Sequence, residues 1–146
     1  IPNCSLSTDI IAGFCTETEE DHNDTLSIME NVGYDLAYMF FYSEREGTYA
    51  AKNLSDDVPI NIKKRRLSEI IEKQQKLSLI NNKKEIGTVQ ELLIEGKNKN
   101  NSSFLSGRTS RNKVVVFPAK DKKPGDYVNV LIIDCTTATL IGEISD

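Results

Sequence analysis

The chain has 146 residues, of which 38% are hydrophobic and 27% charged, and its formal net charge is −4. This composition is typical of an ordinary soluble protein with one domain or two small ones. No apolar run approaches the roughly 18 to 20 residues that span a bilayer, and no basic region precedes an apolar segment. We therefore expect a cytoplasmic protein with no membrane partner.

The charge is divided unevenly along the chain. Residues 1–57 carry two basic and twelve acidic side chains, whereas residues 58–146 carry sixteen basic and ten acidic ones. The front half is therefore acidic and the rear half basic, an asymmetry that suggests a polyanion partner for the rear half. The alternative is that the lysines only solvate the surface, and charge alone does not separate the two.

The first predicted element is a strand. Ile10, Ile11 and Ala12 form a short apolar run, which is typical of a parallel strand covered on both faces. Gly13 ends the run at the carboxyl end of the strand.

An acidic helix follows this strand. The run Thr16-Glu-Thr-Glu19 fits a capping box, and the acidic residues behind it suit a helix N-terminus. We expect the helix to run from about Glu19 to Asn31, with Gly33 as its stop. The chain's one histidine, His22, is expected to be exposed to solvent.

An aromatic run from Tyr34 to Tyr42 is suited to a second buried strand, so strand, helix and strand make a βαβ unit. Parallel strands bring their carboxyl ends to one edge of the sheet, where α/β proteins place their chemistry. The segments Phe14 to Glu17 and Tyr42 to Arg45 are expected at that edge. That edge is the predicted site.

A long helix is predicted from Ile60 to about Asn82, after a polar loop. Its apolar stripe has spacings of three and four, and its other positions are rich in lysine and arginine. The stripe comprises Leu67, Ile70, Ile71, Gln74 and Leu77, and the basic run Lys63, Lys64, Arg65 and Arg66. These cations either are solvated or contact phosphate.

From Glu85 the pattern changes to period two, with turns every ten or so residues. Five short strands without helices indicate a small closed barrel like the oligonucleotide-binding folds, which usually bind nucleic acid. The predicted strands are Gly87 to Glu95, Phe104 to Thr109, Lys113 to Phe117, Asp126 to Ile133 and Thr137 to Ile144. The fold class is thus α/β followed by all-β, with expected boundaries 1–57, 58–83 and 84–146.

Three cysteines, Cys4, Cys15 and Cys135, are too widely spaced for a zinc knuckle or a three-cysteine cluster loop. No metal ligands and no catalytic residues are therefore assigned to this chain. Cys15 follows a strand near a helix N-terminus, where a thiol pKa can fall. We favour a structural or incidental role for it over a reactive one.

Three segments together resemble one family, the radical S-adenosylmethionine tRNA methylthiotransferases of the MiaB type. The resemblance covers essentially the whole chain, as the end of a partial TIM-like radical-SAM barrel followed by a TRAM barrel. The segments are Ser7-Thr-Asp-Ile-Ile-Ala-Gly-Phe-Cys-Thr-Glu-Thr-Glu-Glu-Asp21, Tyr38-Met-Phe-Phe-Tyr-Ser-Glu-Arg-Glu-Gly-Thr-Tyr-Ala-Ala51 and Gly107-Arg-Thr-Ser-Arg-Asn-Lys-Val-Val-Val-Phe117.

The resemblance implies a tRNA modification: a methylthio group is placed on a prenylated adenosine beside the anticodon. The family uses S-adenosylmethionine and two 4Fe-4S clusters, and its cluster cysteines lie in upstream domains whose segments this sequence lacks. The implied partners are the tRNA anticodon stem-loop and those domains of the same protein, with no DNA. The alternatives are an RNA-binding module without catalysis and a related methylthiotransferase with another substrate.

The resemblance also suggests where S-adenosylmethionine binds. The strand with Ile11, Gly13 and Phe14 corresponds to the one that lies along the adenine, where Gly13 permits close approach. Tyr42, Ser43 and Arg45 are candidates for the cofactor carboxylate or a tRNA phosphate. The alternative for Arg45 is a salt bridge to Glu17 or Glu44.

The candidate RNA contacts are basic residues of the rear half. Arg108, Arg111 and Lys113 in the barrel are expected to contact phosphates rather than bases, with Lys63 and Lys64 of the long helix as further candidates. Alternatively, Arg108 and Asn112 brace the barrel turn.

Overall fold

The computed structural model describes residues 4–98, 101–119 and 121–145. The described part of the chain forms two compact units, Leu6–Leu77 and a second made chiefly of Ser78–Asp146. Its helices and strands are β1 (Ser7–Ala12), α1 (Glu19–Val32), β2 (Leu36–Phe41), α2 (Tyr49–Asn53), α3 (Ile60–Lys83), β3 (Val89–Lys97), β4 (Phe104–Thr109), β5 (Val114–Pro118), β6 (Tyr127–Cys135) and β7 (Leu140–Ile144).

In the first of these units, Leu6–Leu77, which we call the front unit, β1 and β2 pair in parallel, with Ala12 opposite Phe41. One face of this two-stranded sheet packs on helices α1 and α3 through a core of Ala12, Met29 and Ile70. The other face is open: Ile11, Tyr38 and Phe40 are 53%, 55% and 59% exposed. The prediction that β1 is covered on both faces is therefore wrong, because in this structure its helices lie on one side only.

Helix α1 begins at Glu19, as predicted, but its capping box lies two residues later than the predicted one. Thr18 is the N-cap: its hydroxyl accepts from the Asp21 amide at 3.1 Å, and the Asp21 carboxylate accepts from the Thr18 amide at 2.8 Å. The box is therefore Thr18 to Asp21, because Thr16 lies in a left-handed turn with φ +69°. Gly33 ends the helix as predicted, its N–H donating to the Met29 carbonyl at 2.9 Å.

Helix α3 confirms the predicted long helix, whereas the five-residue α2 was not predicted. Leu67 and Leu77 of α3 pack partly buried against the front core, and Gln74 donates from Nε2 to the Tyr34 carbonyl at 2.9 Å. The short α2 is capped by Thr48, whose hydroxyl accepts from the Ala51 amide.

The five described rear strands close into a barrel, as predicted, and their order is β3-β4-β5-β7-β6. All pairs are antiparallel except β5 with β7. Strand β7 begins three residues later than expected because Thr136 and Thr139 close a turn, with N to O at 2.8 Å. The buried alternate side chains fill the barrel: Leu92, Ile94, Leu105, Val115, Phe117, Val128, Val130, Ile132 and Leu140.

Candidate cofactor site and nucleic-acid interface

A cavity of about 760 Å³ lies along the open face of the front sheet and at its carboxyl edge. Aromatic side chains dominate its lining, which suits a flat, partly apolar ligand. Five of the six residues predicted to bind the cofactor line it: Ile11, Phe14, Tyr42, Ser43 and Arg45. The two strand ends that the sequence predicted to lie at one edge thus border one cavity.

Gly13, the sixth predicted residue, does not line the cavity but fixes its edge. Its φ is +69°, and a Cβ there would lie 2.4 Å from Lys63 Cγ. Its N–H donates to Glu17 Oε2 at 2.8 Å. Glycine is therefore required here by both the left-handed backbone and the close approach of α3.

Phe14 and Tyr42 form an aromatic corner between the two strand ends. Their ring centroids are 5.0 Å apart with an interplanar angle of 76°, an edge-to-face contact. The Tyr42 amide donates to the Ala12 carbonyl at 2.8 Å, which extends the parallel pairing beyond β2. Burial raises the pKa of the Tyr42 phenol above its ordinary 10.0, and its hydrogen bond with Cys15 adds to the shift.

Arg45 offers an open guanidinium at the rim of the cavity. Within the described residues its side chain forms no ion pair, so the alternative salt bridges to Glu17 and Glu44 are not formed. Glu17 is paired with Arg66 instead, at 2.8 Å. The free, planar cation suits a carboxylate or a phosphate.

The basic run of α3 is not a uniform solvated surface. Lys63 is 3% exposed, and its ammonium donates to the Asp56 carboxylate and to the Tyr42 carbonyl. Arg66 is 4% exposed and contacts Glu17 and Glu19. Lys64 is exposed. A phosphate contact by Lys63 would require it to leave these partners.

His22 is buried, which makes the expectation of solvent exposure wrong. It is 1% exposed because α1 packs against α3, and its Nε2 lies 2.6 Å from Glu69 Oε2. The hydrogen bond with His22 holds the pKa of Glu69 below its ordinary 4.5, and a second bond with Arg65 lowers it further.

The three barrel residues predicted to bind RNA each contact a carboxylate. Arg108 donates from Nε to Glu95 at 3.0 Å, and from Nη1 to Asn112 Oδ1 at 2.9 Å. The bracing of the turn by Arg108 and Asn112, the alternative considered from the sequence, is thus present. Phosphate contact is still open to Arg108, because its side chain keeps 42% of its surface exposed.

Glu85, which the sequence did not single out, organises the other two. Arg111 Nη1 donates to Glu85 Oε1 at 2.7 Å, and Lys113 Nζ lies 3.5 Å from the same oxygen. Gln90 donates to the second oxygen at 3.0 Å. The Arg111 side chain is 30% exposed and that of Lys113 only 10%, so Arg111 is the better placed of the two for a phosphate.

The cysteines do not fit the clusters that the resemblance implies. Cys4, Cys15 and Cys135 are all free thiols, and Cys15 is buried. Cys15 and Cys135 belong to different compact units. In residues 4–98, 101–119 and 121–145, no group of three or more His, Cys, Asp or Glu side chains is arranged to hold a metal ion.

No helix in the described part of the chain is both long and apolar enough to cross a membrane.

Comparison with known proteins gives the barrel a family. Residues 83–145 match the TRAM domain. The chain is similar to the tRNA-2-methylthio-N(6)-dimethylallyladenosine synthase of Amoebophilus asiaticus (strain 5a2), with 58% identical residues. The match covers 97% of the chain and 29% of that synthase. The synthase of the same name from Karelsulcia muelleri (strain GWSS) is 54% identical, and the match covers 99% of the chain and 32% of the relative. The one from Prosthecochloris aestuarii (strain DSM 271 / SK 413) is 53% identical, and the match covers 100% of the chain and 33% of the relative.

The barrel of this chain is thus a TRAM domain, and an α/β unit precedes it in the chain. The predicted resemblance is confirmed: the chain is similar to synthases of this name along nearly its whole length, and it spans about a third of the length of the curated relatives it matches.

Proposed function

We propose that this chain is part of a cytoplasmic tRNA methylthiotransferase. It contributes one edge of the cofactor site and the RNA-binding barrel. Its product is the one its relatives are named for, tRNA carrying 2-methylthio-N6-dimethylallyladenosine. The main observation in support is the cavity at the carboxyl ends of β1 and β2. It is lined by five residues of the two motifs that resemble the family. The chain is catalytically incomplete alone, and cluster-bearing domains of the same protein complete it.

The cavity residues suit S-adenosylmethionine, which supplies the methyl group and the radical chemistry of this family. Ile11 and the Phe14–Tyr42 corner provide apolar and aromatic surface for the adenine. Ser43 and Arg45 lie on the same rim, where Arg45 can pair with the cofactor carboxylate or with a tRNA phosphate. The residues of this chain therefore bind and orient S-adenosylmethionine, and other domains of the same protein hold the clusters.

The TRAM barrel is proposed to hold the anticodon stem-loop by its phosphates. Arg108 and Arg111 keep exposed surface while Glu95 and Glu85 fix their direction. Lys113 is nearly buried, and its ammonium contacts Glu85 and the Asn81 carbonyl. In the front unit, Lys64 is an additional exposed cation. Such contacts position RNA without reading its sequence.

A chimeric enzyme tests this proposal. The matching third of the Amoebophilus asiaticus synthase is replaced by this chain and expressed in bacteria that lack their own methylthiotransferase. Mass spectrometry of tRNA nucleosides should then show 2-methylthio-N6-dimethylallyladenosine. A folded chimera that leaves only the prenylated adenosine contradicts the proposal. Binding of a stem-loop without any binding of S-adenosylhomocysteine would favour the RNA-binding module instead.

A further inference from the structure

Two basic side chains of α3, Lys63 and Arg66, are almost fully buried. Burying a charge is costly unless partners replace its water, so the partners of a buried cation indicate what it holds in place. Both residues contact the strand ends that border the cavity, although neither side chain lines it.

Lys63 contacts the carboxyl ends of both strands with one side chain. Its Nζ donates to the Tyr42 carbonyl at 3.2 Å and lies 4.9 Å from the centroid of the Tyr42 ring. Its stem fills the space in front of Gly13, where a Cβ would lie 2.4 Å from Lys63 Cγ. Asp56 balances the charge. The end of β1 and the end of β2 are thus held by one residue.

Arg66 contacts the end of β1 indirectly, through the carboxylate of Glu17. Its Nη1 donates to Glu17 Oε1 at 2.8 Å and to the Glu17 carbonyl at 3.0 Å. The second carboxylate oxygen of Glu17 accepts the Gly13 amide at 2.8 Å. The turn between them contains Thr16 at φ +69°, whose amide donates to Asp57 at 2.8 Å. A non-glycine residue in this conformation persists only when its surroundings impose it.

We propose that Lys63 and Arg66 are positioning residues for the S-adenosylmethionine site, which set the position of the Phe14–Tyr42 aromatic corner at the edge of the cavity. They act through Gly13, Glu17 and Tyr42 and do not touch the cofactor. The inference rests on the proposed function, because it assigns these contacts to the cofactor named there. It also removes Lys63 from the RNA surface.

The test is binding of S-adenosylhomocysteine to the whole chain, measured by titration calorimetry. K63M keeps the stem against Gly13 and removes the ammonium, so binding should weaken by about tenfold. K73M is the matched control: Lys73 lies on the same helix and pairs with exposed Glu30 at 2.7 Å, and neither residue lines the cavity. It should bind within about twofold of the wild type.

A second variant separates positioning from stability. K63M leaves the Asp56 carboxylate without its cation, so D56N is added to remove that charge. K63M/D56N should recover most of the lost unfolding midpoint and still bind weakly. Wild-type affinity in a folded K63M/D56N variant overturns the inference.

Amide resonances test the same claim without ligand. In K63M the signals of Gly13 and Tyr42 should move, while those of Met29 and Ile70 in the core should not. Unmoved Gly13 and Tyr42 signals overturn the inference. If the wild-type chain binds no S-adenosylhomocysteine, the proposed cofactor site fails, and these resonances still decide whether Lys63 holds the two strand ends.

Discussion

The guanidinium of Arg66 and the carboxylate of Glu17 lie 2.8 Å apart, with 5% and 13% of their side chains exposed. The pair joins the first turns of α3 to the turn that follows β1. A buried pair of this kind matters less for its net energy than for the cost of breaking it on one side.

Removing Arg66 should therefore destabilise the front unit. R66M leaves the Glu17 carboxylate buried without its cation, which typically costs about 3 to 5 kcal/mol. Urea unfolding followed by circular dichroism measures the loss. R65M is the control, because Arg65 forms exposed ion pairs that are worth less than about 1 kcal/mol. Equal effects of the two substitutions would contradict the role given to Arg66.

Acid should destabilise the front unit partly through Glu69. Its pKa lies below 4.5 in the folded protein, chiefly because of the hydrogen bond with His22. A lowered folded pKa gives stability that is present above the unfolded pKa and lost as pH falls through the folded one. The free energy of unfolding should thus decline below about pH 4.5, and less steeply in E69Q. If the free energy of unfolding of E69Q depends on pH as steeply as that of the wild type, the Glu69–His22 pair does not contribute to the acid sensitivity.

The barrel contains a sharp test of backbone packing at Gly107. A Cβ there would lie 2.6 Å from the Leu93 carbonyl oxygen, a backbone atom that moves only with its strand. G107A should destabilise the barrel by about 1 to 3 kcal/mol. G96A is the matched control, because nothing lies within 4 Å of the Cβ it adds. A G107A barrel as stable as that of G96A would contradict the observed approach of β3 and β4.

The RNA surface should reveal itself in salt dependence. Replacing Arg108, Arg111 and Lys113 together should weaken binding of an anticodon stem-loop and flatten the logarithmic salt slope by about 0.7 to 0.9 per lost phosphate contact. Fluorescence anisotropy at several salt concentrations measures this, with K73M as control. Since Lys113 is nearly buried, R108M and R111M should account for most of the change. An unchanged slope in a folded triple variant would move the RNA surface to Lys64.

Regular periodicity predicted most of the fold. Strand β4 was predicted with the bounds that the structure shows, Phe104–Thr109, and helix α3 ends one residue beyond its predicted end. The capping box was misplaced by two residues because Thr16 and Thr18 offer similar sequence patterns, and only the left-handed turn at Thr16 separates them. Five-residue α2 lies below the length at which helical periodicity can be recognised.

The buried polar residues were missed because their partners are distant in sequence. His22 meets Glu69 and Arg66 meets Glu17, each across more than forty residues. A signal was nevertheless present: Lys63 precedes Leu67 by four residues and Arg66 precedes Ile70 by four, so both lie next to the stripe that packs on the sheet. Charge alone had placed both in solvent or against phosphate.

The central claim is that the edge formed by β1 and β2 holds S-adenosylmethionine, and a resonance map of the isotope-labelled chain tests it most directly. On addition of S-adenosylhomocysteine, the amides of Ile11, Phe14, Tyr42, Ser43 and Arg45 should shift and those of the barrel should not. R45A should weaken binding, because Arg45 is the open cation on the cavity rim. Shifts confined to the barrel, or none at saturating ligand, would contradict the account.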